Sequence, residues 1–265
     1  MIRGVIDRHA HILPGHDDGP ANLDVSAELA EVAVADGTRV LAATSHVNRG
    51  FALRPDELAQ ARRGVVERLA MDGIALDVVQ GGEIALSRLP DLDDDDLRAL
   101  TLGGGRWLLL ECPLSPRSPS LEPSVSYLRG RGFEVLLGHP ERSPTFMRGP
   151  EALDRLVGLG ALAQVTSSSF TGRFGEPVRR AAFAMLERGV VHVISSDAHH
   201  PVHRPPTLGV ALEAMQRRYE ADSTPEAQFE WMTVSAPGAL LAGTPLPERP
   251  ELPRAPRGLL KRFRA

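Results

Sequence analysis

His9-Ala10-His11 is the first stretch of this chain whose residue types and spacing could do chemistry. On an extended strand, residues i and i+2 share a face, so the two imidazoles converge on one point. A chain with nine His will often contain one His-x-His by chance, so its companions give the pattern its weight. His46 closes the apolar run Leu41-Ala42-Ala43-Thr44-Ser45, and Glu83 follows a run at 76–80. Glu111 ends Leu108-Leu109-Leu110, His139 follows Leu136-Leu137-Gly138, and Asp197 and His199 follow a run at 190–195. Each segment is apolar until it ends, then presents a His or a carboxylate. Gathering so many ionisable groups without cations would be costly. Mixed His and carboxylate donors suit Zn, Mn or Fe, and their number points to two or three ions. Asp18, in His16-Asp17-Asp18-Gly19-Pro20, reads equally well as a further ligand or as a turn residue.

The elements that must position these groups alternate. Strand signals fall at 4–12, 39–45, 76–80, 107–111, 134–138, 161–165 and 190–195. Amphipathic helical segments fall between most of them, at 23–35, 55–71, 122–131, 150–159 and 176–188. Several of these are followed by Gly (Gly37, Gly73, Gly132, Gly189), the preferred residue just past a helix end. Two more helices are expected at 207–221 and 225–235. The βα alternation predicts parallel strands with crossover helices. Seven strands in about 200 residues suit a closed barrel better than an open doubly wound sheet. No GxGxxG follows the first strand, which disfavours a dinucleotide fold. In α/β barrels the C-terminal strand ends form the active face, so the candidate ligands would share one mouth.

Composition bounds the function. The chain has 265 residues and a net charge of -4, so a broad nucleic-acid footprint is not expected. Aromatic residues are 5% of the chain, too few for a base-stacking platform. No apolar run approaches the roughly 18 residues of a membrane span, and no signal peptide is legible, so a cytoplasmic location is expected. One Cys excludes an internal disulfide framework and a Cys-only metal site. It also argues against a thiol phosphatase, which needs Cys-x5-Arg. Ser118 stands where that Arg would be, and Arg117 comes one residue too early. The only Lys is Lys261, so the Lys-bridged site of many metal-dependent amidohydrolases is not available, although a Glu could replace the Lys. Asp91–Asp96 reads as a solvated loop or helix start. Residues 1–243 read as one domain and 244–265 as a basic, Pro-rich, solvated tail, with docking to an acidic surface as its functional alternative.

The stretches Ile6-Asp7-Arg8-His9-Ala10-His11-Ile12-Leu13-Pro14-Gly15, Asp17-Asp18-Gly19-Pro20, Ala43-Thr44-Ser45-His46, Gly82-Glu83-Ile84, Glu111, His139-Pro140-Glu141-Arg142, Ser196-Asp197-Ala198-His199 and Arg204-Pro205-Pro206 carry a resemblance. The sequence resembles the polymerase-and-histidinol-phosphatase (PHP) family over about residues 4–240. Within it, the sequence resembles the bacterial tyrosine phosphatases of capsule and exopolysaccharide operons (CpsB-type). The resemblance implies a distorted (β/α)7 barrel with a trinuclear metal site, Mn expected and Fe or Zn as alternatives. It implies His9, His11, Asp18, His46, Glu83, Glu111, His139, Asp197 and His199 as ligands, with Glu83 bridging. Arg142 and Arg204 match the family's phosphate-binding arginines. Val47 and Cys112-Pro113 depart from what is common in the family, which bears on substrate choice more than on metal binding. The implied substrate is a phosphotyrosine protein, a bacterial tyrosine kinase tail, with a homo-oligomer compatible with the family. A small-molecule phosphatase such as a histidinol-phosphatase is the alternative enzyme, and a non-catalytic metal-binding domain the third reading.

Overall fold

The structure is a computed structural model that describes residues 4–51, 53–116, 119–219 and 224–252. Its strands are β1 (Val5–Ala10), β2 (Thr38–Ala43), β3 (His46–Val47), β4 (Asp77–Val79), β5 (Glu83–Ile84), β6 (Trp107–Glu111), β7 (Glu134–Gly138), β8 (Leu162–Thr166) and β9 (Val193–Ser195). Every ladder between them is parallel. The helices are α1 (Leu23–Asp36), α2 (Pro55–Asp72), α3 (Asp94–Ala99), α4 (Glu122–Gly130), α5 (Pro144–Arg148), α6 (Glu151–Gly158), α7 (Glu176–Glu187), α8 (Gly209–Arg218), α9 (Thr224–Glu230) and α10 (Ala236–Ala242). No described helix is long and apolar enough to cross a membrane.

The expected α/β alternation of parallel strands is present, and the strands fall into two sheets. One has the order β1-β2-β4 and the other β3-β5-β6-β7-β8-β9. The expected strands at 39–45 and 76–80 are β2 and β4, and each is followed after a short break, Thr44-Ser45 or Gln80-Gly81-Gly82, by a two-residue strand that the sequence pattern does not place. These two short strands, β3 and β5, join the second sheet. The edge strands β1 and β9 meet through an isolated parallel bridge, Ala10 to Ala198. Asp197 N donates to His9 O at 2.8 Å and His11 N to Ala198 O at 2.8 Å. Ser196 N donates to the Asp7 carboxylate at 3.1 Å, and Arg8 N to Ser195 Oγ at 3.1 Å.

Local sequence explains the helix limits. Asn22 caps α1 by accepting from Val25 N, and Gly37 closes it in the left-handed region that a Cβ would disfavour. The Asp run starts α3: the Asp93 carboxylate accepts from Asp95 N and Asp96 N at 2.9 Å each. The helix expected at 225–235 is α9 followed by a π-helical turn, Trp231–Ser235, and then α10. Pro237 sits in the first turn of α10 and has no N–H to continue an α-helical ladder, which gives the local change of pitch a cause.

Most of the core lies between helices and sheets, where Leu29, Val65, Leu97, Val125, Leu156, Phe183 and Met215 are buried. A second cluster comprises Ala42, Leu102, Leu109, Leu136, Leu162, Val193 and Leu240. Its strand members lie two residues before groups of the candidate site or its supports: Leu109 before Glu111, Leu136 before Gly138, Leu162 before Gln164, Val193 before Ser195. Residues 244–252 form no helix or strand but lie against the body. Arg249 packs over the Trp231 ring at 4.9 Å and donates to Gly189 O at 2.7 Å, while Gln228 donates to Pro250 O at 2.6 Å. This part of the expected solvated tail is therefore held on the protein; the remainder, from 253, lies outside the described residues.

Candidate metal centre

The loops and strand ends bring the nine candidate ligands into one connected cluster. Glu83 is its hub and is fully buried. Its carboxylate lies 2.8 Å from His139 Nε2, 2.9 Å from His46 Nδ1, 3.4 Å from His9 Nε2 and 3.5 Å from His11 Nε2. Asp197 Oδ1 lies 3.4 Å from His9 Nε2 and 3.6 Å from His11 Nε2. Half-exposed Asp18 reaches in from the N-terminal loop, 3.3 Å from His199 Nε2 and 3.5 Å from His46 Nε2. Donor atoms of His11, Asp18, His46 and His199 lie within 4.8 Å of one another, as do those of His9, His11 and Glu83, and those of His46, Glu83 and Glu111. The three groups share members, which is the arrangement several neighbouring cations would require.

Hydrogen bonding on the far side of the rings determines which nitrogens face inward. Gln164 Oε1 accepts from His139 N at 3.4 Å, which orients its amide, and lies 3.0 Å from His9 Nδ1. His9 Nδ1 then donates to Gln164 Oε1, and Nε2 is the nitrogen left facing inward. Asp17 Oδ2 takes His11 Nδ1 at 2.7 Å and fixes the same tautomer there. The two Nε2 atoms are 3.3 Å apart. Facing lone pairs at that distance need either a proton or a cation between them. His199 Nδ1 donates to Asp197 O at 3.0 Å, so its Nε2 carries a lone pair toward the Asp18 carboxylate 3.3 Å away. Buried acceptors aimed at one another without a donor are what a metal-binding donor set presents, so these residues fit divalent cations.

The electrostatics agree. Burial opposes charge at His11, yet Asp17 and Glu83 raise its pKa to about 10 when no metal neutralises them. Burial opposes ionisation of Glu83 too, but the surrounding imidazoles hold its pKa well below the usual carboxylate range. Burial, followed by the charge of Glu83, pushes Glu111 up. The Arg142 and Arg204 guanidiniums both lie on Asp197 Oδ2, at 2.6 and 2.7 Å. They occupy one oxygen of Asp197, and the other faces the imidazoles.

His139 and Asp197 are the only described residues other than glycine with positive φ, 38° and 51°. This backbone is costly for residues with a Cβ, and here it turns both side chains into the cluster at sharp strand-end corners. Sequence reasoning missed the orienting residues Asp17 and Gln164. Asp17 also accepts from Gly19 N and His46 N, both at 3.0 Å, so it fixes loop and ligand together. Its only signal was the doubled Asp before Gly-Pro, and Gln164 had none. Four His stand apart from the cluster. His192 takes Ala163 N at 3.2 Å and burial lowers its pKa to about 4. His16 lies on Pro14 O, and the rings of His200 and His203 meet at a tilt, their centroids 4.6 Å apart. Cys112 is buried, and burial plus Glu141, Glu111 and Glu83 push its thiol up, the opposite of a nucleophile.

Comparison with known proteins identifies relatives of this chain. The tyrosine-protein phosphatase YwqE of Bacillus subtilis is 31% identical over 219 residues, 82% of this chain and 86% of that protein. A solved structure described as YwqE from Bacillus subtilis and CpsB from Streptococcus pneumoniae, unique metal-dependent tyrosine phosphatases, superposes with a TM-score of 0.80 at 30% identity, covering 94% of this chain and 99% of that one. The fold alone extends further: 5-methylcytosine deaminase from Klebsiella pneumoniae gives a TM-score of 0.58 at 13% identity, covering 91% of this chain and 74% of that one. Residues 5–232 match the family described as capsular polysaccharide synthesis, CpsB/CapC, and the chain belongs to that family.

Proposed function

We propose that this chain is a metal-dependent protein-tyrosine phosphatase that dephosphorylates a bacterial tyrosine kinase in capsule or exopolysaccharide regulation. One observation carries the reading: a buried Glu83 carboxylate surrounded by four imidazoles, next to two guanidiniums gathered on Asp197. In this reading His9, His11, Asp18, His46, Glu83, Glu111, His139, Asp197 and His199 would hold two or three divalent ions, with Glu83 as the carboxylate they would share. Mn is expected, and His/carboxylate sites also accept Fe or Zn. When bound, such ions lower the pKa of water and offset phosphoryl charge.

The chain's own residues supply the rest. Arg142 and Arg204 present planar forks that match phosphoryl oxygens, and Asp197 Oδ2 pre-positions both at once. Because the forks are already oriented, stabilising charge on the phosphoryl group requires little reorganisation. Asp17 and Gln164 keep the imidazoles in the tautomer that points Nε2 inward. A tyrosine leaving group has a pKa of about 10, so it departs with less help from an acid than an alkyl alcohol needs. The deciding assay is the full chain loaded with Mn, tested on a phosphotyrosine peptide and on histidinol phosphate, with and without chelator. Chelator-sensitive hydrolysis of the peptide is expected. Chelator-insensitive hydrolysis, or none on either substrate, would overturn the reading, and a preference for histidinol phosphate would move it to small molecules.

A further inference from the structure

The chain is poor in aromatic residues, yet it does not place all of them in the core. Phe133, Phe146, Phe170, Phe183 and Phe229 are buried, whereas Phe174 is only partly covered. Phe174 lies between a short 3-10 turn, Ser167–Ser169, and α7, with glycines at 172 and 175 in the left-handed region. Those glycines let the loop fold back tightly in a way that residues with a Cβ would resist. Arg173 in the same loop donates to the His203 carbonyl, which ties the loop to the segment after β9. The Phe174 ring lies against the guanidinium of Arg142, 4.5 Å from Cζ to the ring centroid.

Exposure orders these groups. The Asp197 side chain is 2% exposed and that of Arg142 17%, and Phe174, against the Arg142 guanidinium, is partly exposed. The series therefore runs from the buried carboxylates outward. A phosphoryl group held on the edge of the Arg142 fork would lie beside the Phe174 ring, within reach of an ester group that points away from the buried carboxylates. We infer that Phe174 is a specificity-determining residue that receives the aryl group of the substrate ester, with Arg142 anchoring both that ring and the phosphoryl group. This rests on the phosphatase reading above. Aromatic pairs gain from offset or edge-to-face contact beyond the area they bury, so an aryl ester is favoured over an alkyl ester of the same charge. A ring whose only task was to steady Arg142 would favour neither.

The test measures binding rather than turnover. Phenylphosphonate and methylphosphonate share the anionic head and differ in the ring. Their affinities for the Mn-loaded full chain are measured by calorimetry for the wild type, Phe174→Ala and Phe174→Trp. The expected result is that Phe174→Ala weakens phenylphosphonate roughly threefold to tenfold while methylphosphonate changes less than about twofold. Phe174→Trp keeps the phenyl preference, and metal content is the same in all three. Equal weakening of both ligands would assign Phe174 to holding Arg142 alone and overturn the inference, as would no change in either. A wild type that binds neither phosphonate would overturn the phosphatase reading and this inference with it.

Discussion

The same strands build two very different regions two residues apart. Leu109, Leu136, Leu162 and Val193 form an apolar floor with Leu102 and Leu240. One step further along the same faces stand Glu111, Gly138, Gln164 and Ser195, and beyond them His139 and Asp197. The floor is held by burial, which is non-directional and tolerant of chemistry of similar shape. The site is held by directed contacts that are satisfied only as a set. Arg8 marks the boundary. It is fully buried beside the floor, its guanidinium reaches the Leu102 carbonyl at 3.5 Å, and burial lowers its pKa to about 9. Stability and function therefore come apart along a single strand, and substitutions on either side of the boundary should show it.

Glu83→Ala should have the largest effect. Four imidazoles lose their shared carboxylate, and turnover should fall roughly a thousandfold or more, about 4 kcal/mol in barrier, while circular dichroism stays native. Metal content measured on the same sample should fall; an active, metal-replete variant would remove Glu83 from the centre. Leu136→Ala acts on the other side. It should cost about 2–5 kcal/mol of stability as a core truncation, with chelator-sensitive activity per folded molecule retained. If that activity collapsed with the fold intact, floor and site would not be separable.

Asp17→Asn sharpens the comparison within the site. The substitution keeps the shape but weakens the hold on His11 Nδ1, and metal affinity should drop about 10-fold to 100-fold with little change in melting temperature. Unchanged affinity in a metal titration would mean that Asp17 serves the loop only. The smallest effect is one of pH. In metal-free protein the His11 pKa is raised to about 10. Its imidazolium therefore stabilises the fold fully below its ordinary pKa of about 6.5, and that contribution is lost as pH rises through about 10. Metal-loaded protein holds His11 neutral and should lack this slope, which thermal unfolding of chelated and loaded samples over that range would reveal. Equal slopes would assign the titration to another group.

Much of this was legible in the sequence because the switch from apolar to ligating residues falls at strand ends, and periodicity locates those ends. His9, His11, His46, Glu83, Glu111, His139, Asp197 and His199 announced themselves in this way. Asp18 did not, since a carboxylate before Gly-Pro is also an ordinary turn residue. The short strands β3 and β5 were not legible either, because two residues carry no period. Asp17 and Gln164 act through partners supplied by folding: Gln164 meets His9 across 155 residues of sequence, a pairing that no local pattern encodes. The hold on residues 244–252 likewise depends on Trp231 and Gln228, whose positions are set by α9 and the π-helical turn.

The junction of β1 with β9 has a consequence in time. His9 and His11 leave the ribosome well before Asp197, which is bonded through its N–H to His9 O and comes almost two hundred residues later. The contact between Asp7 and Ser196 spans 189 positions. Until that stretch has been synthesised, the N-terminal imidazoles have no Asp197 and no His199, and Asp197 has no Arg204 to hold its other oxygen. A nascent chain can bury its helices against the early strands while its metal centre remains incomplete. The candidate metal centre is thus a late product of synthesis, and a chain cut short before Asp197 would carry seven of its nine candidate ligands and only one of the two arginines that meet on Asp197.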